Sequence, residues 1–198
     1  MKRRAEIKRK TRETRIRLRL DVQGSGRTRL KTGLPFLEHM LDVCCRQALF
    51  DLDIAAAGDL NVDHHHLVED LGLALGSALA QSLGDKAGLR RYGWATAPLD
   101  EARVSASLVL SGRPYLAWGL DFKNKKIRDF DLQLLEEFAR AFCDRARLTL
   151  HLTQEAGKNN HHIVEAAFKA LGLALRAACE VDPRRGAKAA STKGTLSA

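Results

Sequence analysis

Two short stretches of this sequence concentrate side chains that bind metal ions. Residues 63–70 read DHHHLVED and residues 159–166 read NNHHIVEA, although the 198 residues contain only 7 histidines. Residues three and four apart share one face of a helix, so each histidine pair can converge with the glutamate that follows it. Imidazole and carboxylate donors without cysteine suit Mn, Fe, Co, Ni or Zn, and they argue against a structural cysteine-rich zinc site.

We call residues 65–69 the first cassette and residues 161–165 the second cassette. A single histidine on a helix is usually a core or surface residue, but the duplication of the whole pattern favours metal ligands. Adjacent histidines point about 100° apart around a helix, so the members of a pair can reach two different ions. The sequence therefore predicts two metal sites, each built from both halves of the chain or from neighbouring subunits. The predicted ligands are His65, His66, Glu69, His161, His162 and Glu165, with His39 and Glu137 as further candidates.

The cassettes belong to a longer internal repeat. HHLVEDLGLALGSAL at 65–79 and HHIVEAAFKALGLAL at 161–175 are identical at nine of fifteen positions, and FLEHM at 36–40 corresponds to LLEEF at 134–138. Self-similarity at a fixed spacing indicates a duplicated structural unit. We predict an α+β fold of two pseudo-symmetric βα repeats, with sheets on one side and helices packed between. The repeats are predicted at 1–93 and 94–180, followed by a flexible C-terminal tail at 181–198 that contains STKG.

The periodicity of apolar residues supplies the elements of each repeat. Strict alternation over 15–22 predicts a strand, and the turn residues at 23–26 predict a hairpin with 27–33. A helix is predicted from Phe36, a strand with a turn at Gly58, and a helix from His64 to about Leu83 with Asp63 as its N-cap. The second half predicts two strands within 91–122, a helix over 130–148, a short strand at 149–152 and a long helix over 161–180.

Composition and charge restrict the class of protein. The chain is 45% hydrophobic and 29% charged, has no 18-residue apolar run and has no CxxC spacing, which together predict a cytoplasmic protein with reduced thiols and no membrane partner.

The positive charge is concentrated near the N-terminus. Residues 1–31 hold 13 Lys/Arg and 3 acids, so 13 − 3 gives +10, whereas the whole chain is +9. Such a segment can bind nucleic acid, but it has no interleaved aromatic residues, so a charged strand face is favoured and no nucleic-acid partner is expected.

The sequence blocks as a set resemble the imidazoleglycerol-phosphate dehydratase family over nearly the whole chain. The blocks are RETRI, GLPFLEHMLD, GDLNVDHHHLVED, RYG, PLDEA, SGRPYL, GKNNHHIVEAAFKA and STKG. The resemblance implies halves like domain 2 of ribosomal protein S5 and a hydro-lyase of histidine biosynthesis with two Mn²⁺ per active site. It also implies a homo-oligomer built from trimers, typically of 24 subunits.

The resemblance also implies roles for individual residues. The implied metal ligands are His39, His65, His66, Glu69, His161, His162 and Glu165, and the family often has histidine where Glu137 stands. Contacts to the phosphorylated imidazole substrate are implied for Glu13, Arg91, Arg113, Lys169, Ser191 and Lys193. Glu13 is the implied proton-transfer group, with Glu69 and Glu165 as alternatives. Metal ions on both ring nitrogens would let the imidazole ring expel hydroxide from its side chain, after which an enol forms and ketonises.

Two further classes of function share parts of this pattern. A dinuclear metallohydrolase acting on a small phosphorylated substrate would use the same ligands to activate water. A metal-storage assembly would bind cations without turnover. Formation of a ketone without release of phosphate distinguishes the dehydratase from both.

Overall fold

The computed structural model describes residues 3–186 and residue 191. The strands are β1 Arg4–Lys10, β2 Thr14–Asp21, β3 Thr28–Lys31, β4 Asp51–Gly58, β5 Tyr92–Leu99, β6 Ala102–Val109, β7 Tyr115–Gly119, β8 Lys126–Ile127, β9 Phe130–Asp131 and β10 Thr149–Ala156. The helices are α1 Pro35–Ala48, α2 His65–Leu83, α3 Gln133–Ala146 and α4 Asn160–Cys179, followed by a short 3₁₀ turn, Pro183–Arg185. Of the tail predicted at 181–198, residues 187–190 and 192–198 lie outside the described residues, and these include Lys193 and all of STKG except Ser191.

Two four-stranded sheets repeat one topology. The first has the order β1-β2-β4-β3 and the second has the order β5-β6-β10-β7. In each sheet the first three strands are antiparallel and the edge strand, β3 or β7, pairs in parallel. Each half therefore runs β-β-β-α-β-α, apart from the small β8-β9 hairpin inserted in the second. This confirms the predicted α+β fold of two similar halves, while the boundaries at 93 and 180 stay predictions.

The predicted hairpin between 15–22 and 27–33 is wrong. The antiparallel partner of β2 is β1, which the sequence patterns did not reveal, and β4 lies between β2 and β3. Six residues separate β2 from β3, more than the tight turn of a hairpin needs. Strand β4 lies inside the first sheet, where its apolar side chains Leu52 and Ile54 are buried. The alternation within β2 is confirmed, since Ile16, Leu18 and Leu20 are buried and the intervening arginines are exposed.

The helices of one half pack on the helices of the other. Helix α1 packs on α4 and α2 packs on α3, with one continuous hydrophobic core between the sheets. Glycines permit these close crossings: a Cβ on Gly72 would lie 2.5 Å from the carbonyl oxygen of Phe138, and one on Gly172 would lie 2.3 Å from that of Cys44. The cross-packing brings α1 of the first half beside the second cassette. Among the described residues, no helix is long and apolar enough to cross a membrane.

Candidate metal centre

Each cassette occupies the first turn of a long helix. Helix α4 begins after Asn159, whose side chain accepts a hydrogen bond of 2.9 Å from the backbone N–H of His161. In α2 the equivalent bond, of 2.8 Å, runs from the N–H of His65 to Asp63. The backbone N-cap of α2 is His64, one residue later than predicted, although Asp63 does supply the capping oxygen. Both histidine pairs are thereby fixed at the start of a rigid element.

The second cassette forms a compact group with a residue from the other half of the chain. The Nε2 atoms of His39 and His161 each lie 3.2 Å from Oε2 of Glu165. One ligand atom from each of the three residues lies within 4.8 Å of the others, and this is the only such cluster found among the described residues. Two imidazole nitrogens around one carboxylate oxygen are a suitable donor set for a divalent cation. The group could therefore hold a metal ion.

The ammonium group of a lysine, Lys169, lies beside this group. Nζ of Lys169 lies 2.9 Å from Oε1 of Glu165, whose side chain is only 15% exposed. Burial alone would raise the pKa of Glu165, but the hydrogen bond and charge of Lys169 and the bonds from the two histidines outweigh burial and lower the pKa. The carboxylate is thus held in its ionised form, which is the form that can bind a metal ion.

The first cassette is more open. Nε2 of His65 lies 3.6 Å from Oε2 of Glu69, and both side chains are more than 40% exposed. Glu137, the repeat partner of His39, lies on α3 and is 3.8 Å from Nε of Arg140. The structure therefore brings His65 and Glu69 together, but in the described part of the chain it joins neither to Glu137.

The second histidine of each pair bonds to a carboxylate that sequence reasoning did not single out. Nδ1 of His66 lies 3.0 Å from Oδ2 of Asp59, and Nδ1 of His162 lies 2.7 Å from Oε2 of Glu101. These bonds raise the pKa of both histidines. The bond from His162 and two backbone N–H groups lower the pKa of Glu101 to about 2. Asp59 and Glu101 lie in the blocks GDLNVD and PLDEA, but spacing alone does not connect them to the histidines.

The predicted catalytic residue Glu13 faces the first cassette. Oε1 of Glu13 lies 3.9 Å from Nε2 of His66, and the Glu13 side chain is 52% exposed.

Two clefts lie beside the cassettes. A cleft of about 380 Å³ is lined by the β1–β2 turn and by Asp59. A second cleft, of about 650 Å³, lies beside His161, His162 and Glu101. Both clefts are large enough for part of a small ligand. A depression of about 700 Å³ over the outer face of β1–β4 is lined by no histidine, so its size does not make it a metal site.

The predicted phosphate-binding residues are dispersed in the described chain. Arg91 has a left-handed backbone, with φ 62°, and its guanidinium lies 4.8 Å from the centre of the Tyr92 ring. Its carbonyl accepts from the N–H of Leu110, which places Arg91 at the same end of the second sheet as the turn that carries Arg113. Of the remaining predicted residues, Lys169 reaches the second cassette, Ser191 is described outside any regular element, and Lys193 lies outside the described residues.

The fold and the site define a class: an α+β protein of two duplicated halves with a mixed imidazole–carboxylate centre between helices. A model of the family described as imidazoleglycerol-phosphate dehydratase matches residues 32–175. An imidazoleglycerol-phosphate dehydratase of Gluconacetobacter diazotrophicus is 54% identical over 192 residues, covering 97% of each chain. One from a Jannaschia species is 52% identical, covering 97% of this chain and 98% of the relative.

Solved structures agree with the sequence comparison. IGPD from Pyrococcus furiosus superposes with a TM-score of 0.83 at 37% identity, covering 96% of this chain and 100% of that one. Imidazoleglycerol-phosphate dehydratase from Staphylococcus aureus also has a TM-score of 0.83, at 34% identity, covering 90% and 99%. The chain belongs to the imidazoleglycerol-phosphate dehydratase family. It is a hydro-lyase of histidine biosynthesis.

Proposed function

We propose that the enzyme binds two Mn²⁺ ions per active site and uses them to remove water from imidazole glycerol phosphate, giving imidazole acetol phosphate. The observation that carries the metal proposal is the group of His39, His161 and Glu165, whose ligand atoms lie within 4.8 Å of one another. Two neutral imidazoles and one carboxylate fit a borderline divalent cation and leave coordination positions for a substrate. When bound, the cations supply Lewis acidity and a template for the substrate ring.

The proposed ligand set is divided between the two cassettes. His39, His161 and Glu165 would hold one ion, and His65 and Glu69 the other, with Glu137 as its candidate partner from α3. His66 and His162 point in other directions than their neighbours, and each would complete a site. Residues near the start of one helix cannot surround a cation alone, so we infer that neighbouring subunits contribute to the same sites.

Metal sites shared between neighbouring subunits would require the chain to form an oligomer. We propose a homo-oligomer built from trimers, with about 24 subunits, as the family resemblance implies. We also propose a cytoplasmic location, because the four cysteines are buried and free. The units 1–93 and 94–180 would each supply one cassette, and the segment 181–198 would carry Ser191 and Lys193 to the substrate.

The proton transfers need a group with a free carboxylate. Glu13 fits this role, because its side chain is half-exposed and meets the ring of His66 from the Nε2 side. Glu69 and Glu165 are less suitable, because both are proposed metal ligands, and Glu165 is also paired with Lys169. Glu13 would take the proton from the carbon next to the one that loses hydroxide.

The substrate's phosphate needs several cationic donors. Arg91 and Arg113 can each offer two parallel N–H groups, and Lys169 and Lys193 offer point charges. Ser191 would add a hydroxyl. Lys169 contacts Glu165, so it would couple phosphate binding to the second cassette.

The test is turnover of a defined substrate. Protein stripped with EDTA and reloaded with Mn²⁺ is incubated with imidazole glycerol phosphate, and the products are separated and identified. The proposal expects imidazole acetol phosphate, and no product without metal. Release of inorganic phosphate in place of the ketone would support the dinuclear metallohydrolase, and metal binding without any product would support storage.

A further inference from the structure

We propose that Asp59 and Glu101 are positioning residues that hold His66 and His162 by their Nδ1 atoms, so that each Nε2 atom is the one presented to a metal ion. This inference rests on the proposed metal sites. Neither carboxylate belongs to a cassette. The contacts, 3.0 Å for Asp59 and 2.7 Å for Glu101, are normal for a charge-assisted hydrogen bond.

The chemistry of imidazole explains why such a partner is needed. A neutral histidine carries one ring proton, and a metal binds the nitrogen that lacks it. A carboxylate on Nδ1 fixes the proton there, fixes the orientation of the ring and raises the basicity of Nε2. Asp59 and Glu101 provide this carboxylate once in each half.

The two halves supply the carboxylate from different places. Glu101 directly precedes β6, and in the repeated topology the residue that directly precedes β2 is Glu13. Glu101 is fixed by three donors: Nδ1 of His162 and the backbone N–H groups of Lys158 and Asn159, at 3.1 and 2.8 Å. In the described chain the carboxylate of Glu13 meets only His66, at 3.9 Å.

Loop length explains this difference. Three residues, 157–159, connect β10 to α4, and two of them turn their N–H groups to Glu101. Six residues, 59–64, connect β4 to α2, and the first of them is Asp59. The backbone N–H of Asp59 bonds to the carbonyl of Glu13, so the longer loop is tied to the β1–β2 turn. Asp59 therefore takes the positioning task in the first half, which leaves Glu13 available for proton transfer.

The experiment is a calorimetric titration of EDTA-stripped protein with Mn²⁺. Asp59→Asn and Glu101→Gln should each weaken one of the two sites by about 10–100-fold and leave the other unchanged. Matched controls are Asp53→Asn, a surface partner of Arg29, and Glu155→Gln, a surface partner of Arg103, and both should titrate like the wild type. Glu13→Gln should also bind Mn²⁺ normally, although it occupies the position equivalent to Glu101.

Histidine ¹⁵N spectra of the metal-free protein give a second readout that does not depend on activity or on assembly. The wild type should show His66 and His162 with the proton on Nδ1, and each variant should lose this preference at its own histidine only. Wild-type affinities and tautomers in both variants would overturn the inference. A wild type that binds no Mn²⁺ while both tautomers are as expected would instead contradict the proposed function and leave the positioning contacts standing.

Discussion

The two cassettes share the same pattern of two histidines and a glutamate, yet in the described chain only the second forms a compact group with a residue from another helix. His39 bonds to Glu165, whereas its repeat partner Glu137 is bound to Arg140 and does not join the first cassette. The cause lies in charge. An imidazole and a carboxylate attract each other without a cation, but two carboxylates repel each other until a cation stands between them. The second cassette is therefore organised without a cation, whereas a site built from the first cassette and Glu137, as proposed, would depend more on its ion.

The two equivalent glutamates also differ in their contacts. Glu101 is immobilised by three donors, while Glu13 is half-exposed beside His66. The loops that precede the two cassettes differ in length, and we propose that this difference gives the two glutamates different tasks. The following experiments test that division of labour.

The largest effect is expected from removing one histidine of either cassette. His65→Ala and His161→Ala should each lower kcat/KM by at least about 10³-fold, because the loss of a ligand costs several kcal/mol of metal-dependent stabilisation. Steady-state assays in saturating Mn²⁺ provide the measurement, with His151→Ala on β10 as the control. Full activity in either cassette variant would show that the site has been assigned to the wrong residues.

Substitution of Glu13 should slow the catalytic step without weakening substrate binding. Glu13→Gln is expected to lower kcat by about 10²–10⁴-fold with little change in KM, which is the usual contribution of a general acid or base. Glu6→Gln, which alters an exposed partner of Arg17 on the neighbouring strand, should keep wild-type kinetics. If the Glu13 variant instead raises KM at constant kcat, the residue binds substrate and does not transfer the proton.

Substitution of Glu137 tests whether the first site uses a carboxylate from α3. Glu137→Gln should weaken one Mn²⁺ site by about tenfold, and Glu137→His should shift that site's preference from Mn²⁺ towards Zn²⁺ by a similar factor. Glu136→Gln, at the neighbouring position that also pairs with Arg140, serves as the control. Equal titration curves for all three variants would exclude Glu137 from the ligand set.

The smallest effect concerns acid stability of the metal-free protein. The folded-state pKa of Glu101 is about 2, below its ordinary value of 4.5. Because this pKa is lowered on folding, ionised Glu101 stabilises the folded protein above the pKa that it has in the unfolded chain. This stabilisation is lost as the pH falls through the pKa of the folded state. Urea unfolding in EDTA should therefore show wild type more stable than Glu101→Gln near pH 5, with the difference vanishing towards about pH 2. A difference that is constant over this range would contradict the ionised contact.

Local patterns were enough to predict the repeat, the cassettes and the alternation of β2. These features depend on residues near one another in the chain, where the period of apolar residues states which face is buried. The pairing of β2 with β1 was missed because β1 has only Ala5 and Ile7 as apolar signals, both partly buried. The position of β4 between β2 and β3 is a long-range pairing, which no local turn signal records.

The contacts of Asp59 with His66 and of Glu101 with His162 could not be predicted from the sequence either. Glu101 and His162 are 61 residues apart, and only the packing of α4 against β5 and β6 brings them together. His39 could be proposed as a ligand because the repeat paired it with Glu137, but its contact with the second cassette follows from the packing of α1 on α4. The packing of helices on sheets within a half, and on helices of the other half, is the information that the sequence patterns lacked.

The most direct test is anomalous diffraction from crystals grown in excess Mn²⁺. The account predicts about two manganese peaks per chain, one bounded by His39, His161 and Glu165 and the other by His65 and Glu69. Well-ordered, fully soaked crystals without a manganese peak at either cassette would contradict it.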